Sequence, residues 1–110
     1  MEYVSNIKAY QSPTLWVEID DLRIPCAVPT VGMVEGILAK AKLVTGFGQK
    51  LTQEQYDYAF ELFAEILSVN HNFVEYTPAE LKTKKVTVTQ IMGVLTDWVK
   101  FIGELANLKN

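Results

Sequence analysis

The fold is decided by residues 51–68, which read LTQEQYDYAFELFAEILS. Thr52 and, three positions later, Gln55 form a capping box, in which the two side chains satisfy backbone N–H groups at the start of a helix. The spacing predicts a helix from 53 to about 68. Its apolar residues recur at helical intervals and define one face. They are Tyr56, Ala59, Phe60, Phe63, Ile66 and Leu67.

The other side of this helix carries four acidic residues, called here the acidic stripe: Glu54, Asp57, Glu61 and Glu65. Like charges four positions apart destabilise a helix by roughly 0.2–0.5 kcal/mol per pair, and a basic surface on this chain or on a partner would relieve that repulsion. Two carboxylates could also contact one metal ion, but a transition-metal site usually adds His or Cys, and this helix has neither. The stripe is therefore either a solvated face or a contact for a basic partner.

Upstream of this helix, residues 15–28 alternate between apolar and polar with a period of two, which predicts a β-hairpin. Its turn lies at Asp20-Asp21. Pro25 cannot donate a ladder hydrogen bond, so its strand is predicted to be an edge strand. Residues 1–14 are predicted to form an arm or a short strand that pairs late.

Two more helices flank the central one. Thr30 is an N-cap for a helix that runs to about Val44, and Gly46-Phe47-Gly48 ends it. Residues 77–80, Thr-Pro-Ala-Glu, form a second capping box with proline at the first helical position. This motif predicts a short helix over 78–82.

The last predicted helix starts near Thr87, where Gln90 completes a third capping box, and runs to about Leu105 or Leu108. On a helical wheel its apolar residues span about 180–200°, whereas a surface helix needs an apolar stripe of only about 100°. Such a helix is either central in the core or covered by a second chain. Its candidate partner-binding residues are Val94, Trp98, Val99, Phe101, Ile102 and Leu105.

Together these elements predict a mainly α fold (α+β), in which an N-terminal β-hairpin is followed by three or four helices that form a small bundle. The 110 residues match one ordinary domain, so a single domain over 1–110 is predicted. Hydrophobic residues make up 49% of the chain, which is enough for a core without disulfides or metals.

Composition argues against several classes of protein. The single cysteine, Cys26, excludes an intramolecular disulfide and favours a reducing compartment. We expect no secretory leader and no membrane span, because the N-terminus lacks the basic and apolar regions of a leader and no apolar stretch approaches about 20 residues. Nine lysines, one arginine and a net charge of −3 make a poor nucleic-acid binder.

No catalytic constellation stands out, and we expect neither enzyme activity nor a metal or cofactor. His71 is the only histidine, and nothing around it or Cys26 resembles the signature of a nucleophilic enzyme. Gly46-Phe47-Gly48 precedes Lys50, but the spacing does not match a phosphate-binding loop. His71 is interpreted as a loop residue, and Cys26 as a small apolar residue on a strand.

Four segments carry a family resemblance: 28–34 (VPTVGMV), 62–67 (LFAEIL), 72–81 (NFVEYTPAEL) and 91–95 (IMGVL). In this order, after a hairpin, they resemble the tail assembly chaperones of long-tailed bacteriophages and their prophages. The resemblance covers 15–105 and rests on patterns of hydrophobicity, without catalytic signatures. Within the third segment, Val-Glu-Tyr departs from the polar residues usual in that family.

The resemblance implies a protein that binds the long helical tape measure protein in the bacterial host cytoplasm, keeps it soluble and delivers it to the tail tube protein. It also implies a form extended by ribosomal frameshifting in many members. The wide apolar arc of the last helix adds an expectation of homo-oligomers. Two alternatives are a small structural tail or neck subunit and another helical protein-interaction module. A small enzyme or ligand-binding module would require a concave pocket with perturbed titratable groups.

Overall fold

The computed structural model describes residues 13–44 and 51–108, with side chains up to Leu105. An antiparallel hairpin precedes four helices, which confirms the mainly α fold with an N-terminal hairpin. The elements are β1 (Leu15–Ile19), β2 (Leu22–Cys26), α1 (Val31–Val44), α2 (Gln53–Ser68), α3 (Pro78–Lys82) and α4 (Val88–Leu108). Most of the predicted arm and the predicted helix stop at 46–48 lie outside the described residues.

The hairpin has the register that a two-residue turn imposes, with Ile19 opposite Leu22 and a left-handed φ of 52° at Asp20. Trp16 pairs with Pro25, whose carbonyl oxygen faces the other edge of β2 and accepts a hydrogen bond from the His71 backbone N–H at 3.0 Å. The missing N–H of the proline therefore costs no ladder hydrogen bond, as expected for an edge strand.

Two of the three capping boxes form completely. At α2, the Thr52 N–H donates to Gln55 Oε1 at 2.9 Å, and the Gln55 N–H donates to Thr52 Oγ1 at 3.1 Å. The pair Thr87 and Gln90 repeats this arrangement, at 2.9 and 3.1 Å, at the start of α4. Each pair satisfies two backbone donors that the helix itself leaves without a partner.

The box at α3 forms only in part. The Glu80 N–H donates to Thr77 Oγ1 at 3.2 Å, but the Glu80 carboxylate accepts from the Thr77 hydroxyl instead of from its backbone N–H. This helix of five residues also has proline in its first turn, a C-cap at which the Thr83 N–H donates to backbone carbonyls, and Leu81 buried against the core.

Helix α2 lies at the centre and packs against α1, α3, α4 and β2. For that reason it buries more than the one predicted face, since Leu62 and Ala64 are buried as well. The two strands contribute alternate side chains to the same core, which reaches α4 through Ile91, Leu95 and Trp98. These core residues of the strands are Val17, Ile19, Ile24 and Cys26; Pro25, which lies between the last two, is buried as well.

Candidate partner-binding surfaces

Trp98 does not lie on a partner-binding surface. Its side chain is 1% exposed and belongs to the core cluster, next in register to Ile91 and Leu95. Because Trp98 stands at the centre of the apolar arc of α4, it is the position that the chain's own core covers first. The prediction that it contacts a partner is therefore wrong for the folded chain.

The remaining apolar candidates on α4 are accessible to different degrees. Val94 and Ile102 are half-buried and pack against the core, whereas Val99 is 46% exposed. Phe101 and Leu105 are half-buried. On a helical wheel, Val99 and Phe101 mark the two edges of an arc of about 160°, and Ile102 and Leu105 lie within it. We call Val99, Phe101, Ile102 and Leu105 the distal apolar face.

The acidic stripe is partly neutralised by lysines of the same chain. Lys40 Nζ of α1 lies 2.7 Å from Glu65 Oε1, and Lys82 Nζ of α3 lies 2.7 Å from Asp57 Oδ1. Among the described residues, lysines thus relieve the repulsion within the stripe at Asp57 and Glu65. Glu61 is half-buried and forms no ion pair with the described residues.

Hydrogen bonds explain the shifted pKa values along the stripe. The Lys82 ammonium donates to the Asp57 carboxylate and, with a second bond from the Gln53 amide, holds the pKa of Asp57 below its usual value. The same pairing raises the pKa of Lys82. The Tyr58 hydroxyl donates to Glu54 at 3.0 Å, which raises the pKa of Tyr58 because ionisation would break that bond. The first cause of each shift is a hydrogen bond between side chains on the surface of the fold.

Cys26 and His71 lie on neighbouring segments without forming a catalytic pair. The Cys26 side chain is fully buried, and this burial raises the pKa of its thiol to about 11. The thiolate needed for nucleophilic chemistry is therefore disfavoured at neutral pH. The His71 ring lies on the surface, with Nε2 3.0 Å from Thr14 Oγ1. Both residues have the structural roles that their positions predict.

The sequence predicts a loop after α2, but sequence patterns did not reveal the conformation and exposure of Phe73 in it. Phe73 is 94% exposed and has a left-handed φ of 57°, which is rare for a bulky residue. Buried Asn70 organises this loop, since its side chain donates to the carbonyls of Leu67 and Val74 and accepts from the N–H groups of Asn72 and Val74. The asparagine signals a turn, but the exposure of Phe73 depends on how the loop sits on the fold.

The sequence patterns also did not predict a groove beside α2. It lies between α1 and residues 75–78, and its lining includes Glu61 and Glu65 of the acidic stripe. Ser68 holds the far wall in place, because its hydroxyl donates to the Tyr76 carbonyl at 3.1 Å and accepts from the Tyr76 N–H at 2.9 Å. The one sequence signal for the groove is the pair Gly32 and Gly36, which leaves a side of α1 without side chains.

Residues 13–44 and 51–108 contain no group of three or more His, Cys, Asp or Glu residues placed to hold a metal ion. Over the same ranges, none of the helices has the length and apolar character needed to cross a membrane. The features that remain as candidate sites are an apolar helix face, an exposed aromatic loop and an acid-lined groove, and all three are of the kind that proteins use to contact other proteins.

Comparison of the chain with models of known protein families, with curated proteins and with solved structures finds no match.

Proposed function

We propose that this chain binds a helical protein partner and works as a tail assembly chaperone of a long-tailed bacteriophage or prophage. In this proposal it binds the tape measure protein in the bacterial host cytoplasm and keeps it soluble until the tail tube protein assembles around it. The observation that carries the proposal is the distal apolar face of α4. The identity of the partner comes from the family resemblance of the sequence.

The distal apolar face has the properties of a helix-binding surface. It belongs to a helix of 21 residues whose first half is fixed to the core by Ile91, Leu95 and Trp98. The second half therefore presents apolar side chains from a positioned backbone, which limits the ordering that binding would require. Burial of apolar surface gains about 25 cal/mol per Å², so an amphipathic helix laid along this face would be stabilised against aggregation.

The acidic stripe has a smaller part in this proposal than in the sequence-based expectation. Asp57 and Glu65 are already paired with lysines of the chain, so Glu54 and Glu61 supply most of the remaining charge. Such charges speed the encounter with a lysine-rich helix at low ionic strength and add little affinity once salt screens them.

The same face is proposed to join copies of the chain when no partner is present. An apolar helix face that meets a second copy buries the same side chains as one that meets a partner helix, so the two contacts compete. Homo-oligomers would then be the storage form of the chaperone. Sedimentation of the parent chain as a monomer at high concentration would rule this part out.

Co-expression with a tape measure protein tests the function directly. The parent chain should raise the soluble fraction of the tape measure protein, and Phe101→Asp should abolish this effect because it places a charge in the distal apolar face. Thr96→Asp is the matched control, since Thr96 is an exposed polar position on the same helix. If the tape measure protein is equally soluble with and without the chain, the chaperone proposal is wrong.

A separate experiment distinguishes the chaperone from the alternative, a structural subunit of the tail or neck. A chaperone leaves before the tail is complete, whereas a structural tail or neck subunit remains at a fixed number of copies per particle. Mass spectrometry of purified particles should therefore not detect this chain. Its recovery at constant stoichiometry would favour the structural subunit.

A further inference from the structure

The two strands of the hairpin direct different backbone groups to their outer edges. Ile19 and Leu22 flank the two-residue turn and form a hydrogen-bonded pair. Such pairs alternate with non-bonded pairs along an antiparallel ladder, so every second residue of β1 points its N–H and C=O groups away from β2. These residues are Trp16 and Glu18. The outward carbonyl of Pro25, which lies opposite Trp16, shows the same alternation on β2.

The outer edge of β2 is closed by the segment that follows α2. The Ala27 N–H donates to the Val69 carbonyl at 2.8 Å, and the His71 N–H donates to the Pro25 carbonyl at 3.0 Å. Pro25 has no N–H of its own to offer a further strand. A sheet built on this hairpin can therefore grow only through β1.

The outer edge of β1 lacks these protections. Among the described residues, no backbone group is hydrogen-bonded to the outward groups of Trp16 or Glu18, and both side chains are exposed. The strand contains no proline. A depression of about 200 Å³ lies between the end of β1 and the start of α4 and leaves room beside the strand. Such an edge presents donors and acceptors at the spacing that a second strand requires.

The outer face of β1 also carries an ion pair next to an aromatic ring. Arg23 lies over the ring of Trp16, 4.2 Å from its centroid, and its Nε lies 3.5 Å from Glu18 Oε1. The side chains of Arg23 and Glu18 are 61% and 71% exposed, so neither is enclosed by the fold. A guanidinium has five N–H donors, so Arg23 can bond a second carboxylate beside the first.

We propose that β1 pairs antiparallel with β1 of a second copy, so that the two hairpins form one continuous sheet about a two-fold axis at Val17. In this register Trp16 lies opposite Glu18 of the second copy. Their outward groups exchange both hydrogen bonds of an antiparallel pair, and the axis repeats this pair. Glu18 of the second copy then stands beside the Trp16 ring, within reach of the Arg23 guanidinium stacked on it.

The charges identify a second copy as the strand that fits this edge. Each Arg23 would lie between Glu18 of its own chain and Glu18 of the other, so the edge is its own electrostatic complement. Because both β2 edges are closed, pairing ends at a dimer and does not continue into a fibre. Exposed ion pairs and few hydrogen bonds predict a weak dimer, with a dissociation constant of about 0.1–1 mM. The inference does not depend on the proposed function, and its interface is separate from the distal apolar face of α4.

Mixing two full-length variants with exchanged charges tests the register. Glu18→Arg alone sets two cations against each other across the axis, and Arg23→Glu alone sets two anions against each other, so each variant should associate less than the parent chain. The mixture restores opposite charges at both contacts. Sedimentation equilibrium at the same total concentration should give an association constant at least about tenfold higher for the mixture than for either variant alone. Contacts through α4 are the same in these variants and cancel in the comparison.

Glu35→Arg and Lys42→Glu form the matched control mixture. Both are exposed positions on α1, and they change the net charge by the same amounts without altering the hairpin. Their mixture should associate no better than either variant alone. An equal gain in the two mixtures, or no gain in the hairpin mixture, would overturn the proposed pairing.

A second pair of variants separates backbone pairing from contact between side chains. Glu18→Pro removes an N–H that points away from β2, so the hairpin keeps its own ladder while the second copy loses a donor. Glu18→Thr removes the same charge but keeps the N–H and favours a strand. The proline variant should abolish the dimer, and the threonine variant should weaken it by several-fold. Equal losses would mean that only the carboxylate matters and would overturn the strand pairing.

Amide hydrogen exchange of the parent chain tests the edge without any substitution. Val17 and Ile19 bond β2 and should exchange slowly at every concentration. Trp16 and Glu18 should exchange fast in dilute solution and more slowly as the dimer forms. Slow exchange of these two amides in a dilute, monomeric sample would show that the chain covers its own edge, and fast exchange at every concentration would show that no strand pairs there. Either result overturns the dimer and leaves the chaperone proposal to the co-expression assay.

Discussion

The two halves of α4 have a similar apolar character and opposite surroundings. In the first half, Ile91, Leu95 and Trp98 are buried against α2 and the hairpin. In the second half, Val99 is exposed, and Phe101 is only half-buried. Both halves give the same pattern on a helical wheel. Periodicity therefore identifies the apolar face of the helix, but it does not show whether this face is covered by the chain's own core or by another protein.

The largest effect is expected from truncation in the first half. Trp98→Ala should lower the free energy of unfolding by about 3–5 kcal/mol, because it leaves a cavity in a close-packed core. Phe101→Ala, its counterpart in the second half, should lower it by about 1 kcal/mol, since the side chain is half-exposed. Urea denaturation followed by tryptophan fluorescence and circular dichroism measures both values. Equal losses would mean that the two halves are equally anchored and would break the comparison.

The second prediction concerns self-association, which should depend on the second half of α4 and not on the first. Phe101→Asp should weaken self-association by about tenfold, which corresponds to about 1.4 kcal/mol, while most of the stability of the fold is kept. Sedimentation equilibrium across a range of concentrations measures the association, with Thr96→Asp as the control on the same helix. An unchanged association constant in a folded Phe101→Asp variant would exclude the distal apolar face as the interface.

The described elements follow from local signals in the sequence. The capping pairs Thr52–Gln55 and Thr87–Gln90 place the starts of α2 and α4 because each pair satisfies donors next to it in the chain. The hairpin follows in the same way from alternation and a two-residue turn. These bounds could be predicted because every interaction that sets them joins residues that are close in sequence.

The candidate sites depend on contacts between residues that are distant in sequence, so sequence patterns did not predict these sites. The depth of Trp98 depends on α2 and the strands, and the ion pair between Lys40 and Glu65 spans 25 positions. The groove beside Glu65 needs both α1 and the segment 75–78 to be in place. Patterns within one helix cannot show which neighbour covers a face, so they misplaced Trp98 and did not detect the groove.

A pair of glycines on α4 gives a smaller and more local test. Gly93 lies in the anchored half and Gly103 in the distal half, and a Cβ on either one meets open space. Gly93→Ala should raise the free energy of unfolding by about 0.5–1 kcal/mol, since alanine favours the helix and this half unfolds with the core. Gly103→Ala should raise it less and should instead slow amide hydrogen exchange around 99–105, because this half can open by itself. Equal gains in global stability would show that the distal half unfolds only together with the core.

The smallest effect concerns the acidic stripe, where Asp57 is paired with Lys82 and Glu61 has no lysine partner among the described residues. Asp57→Asn should destabilise the fold slightly, because it removes the negative charge that pairs with the Lys82 ammonium. Glu61→Gln should be neutral or stabilising, because it relieves repulsion from Glu65. The pKa of Asp57 is lowered in the folded state, so its contribution is present above the unfolded value of 3.8 and is lost as the pH falls through the folded value. Denaturation should therefore give a lower free energy of unfolding for Asp57→Asn than for the parent chain at pH 7, and this difference should vanish near pH 2. A difference that persists at low pH would show that the asparagine acts through packing and not through the lost ion pair.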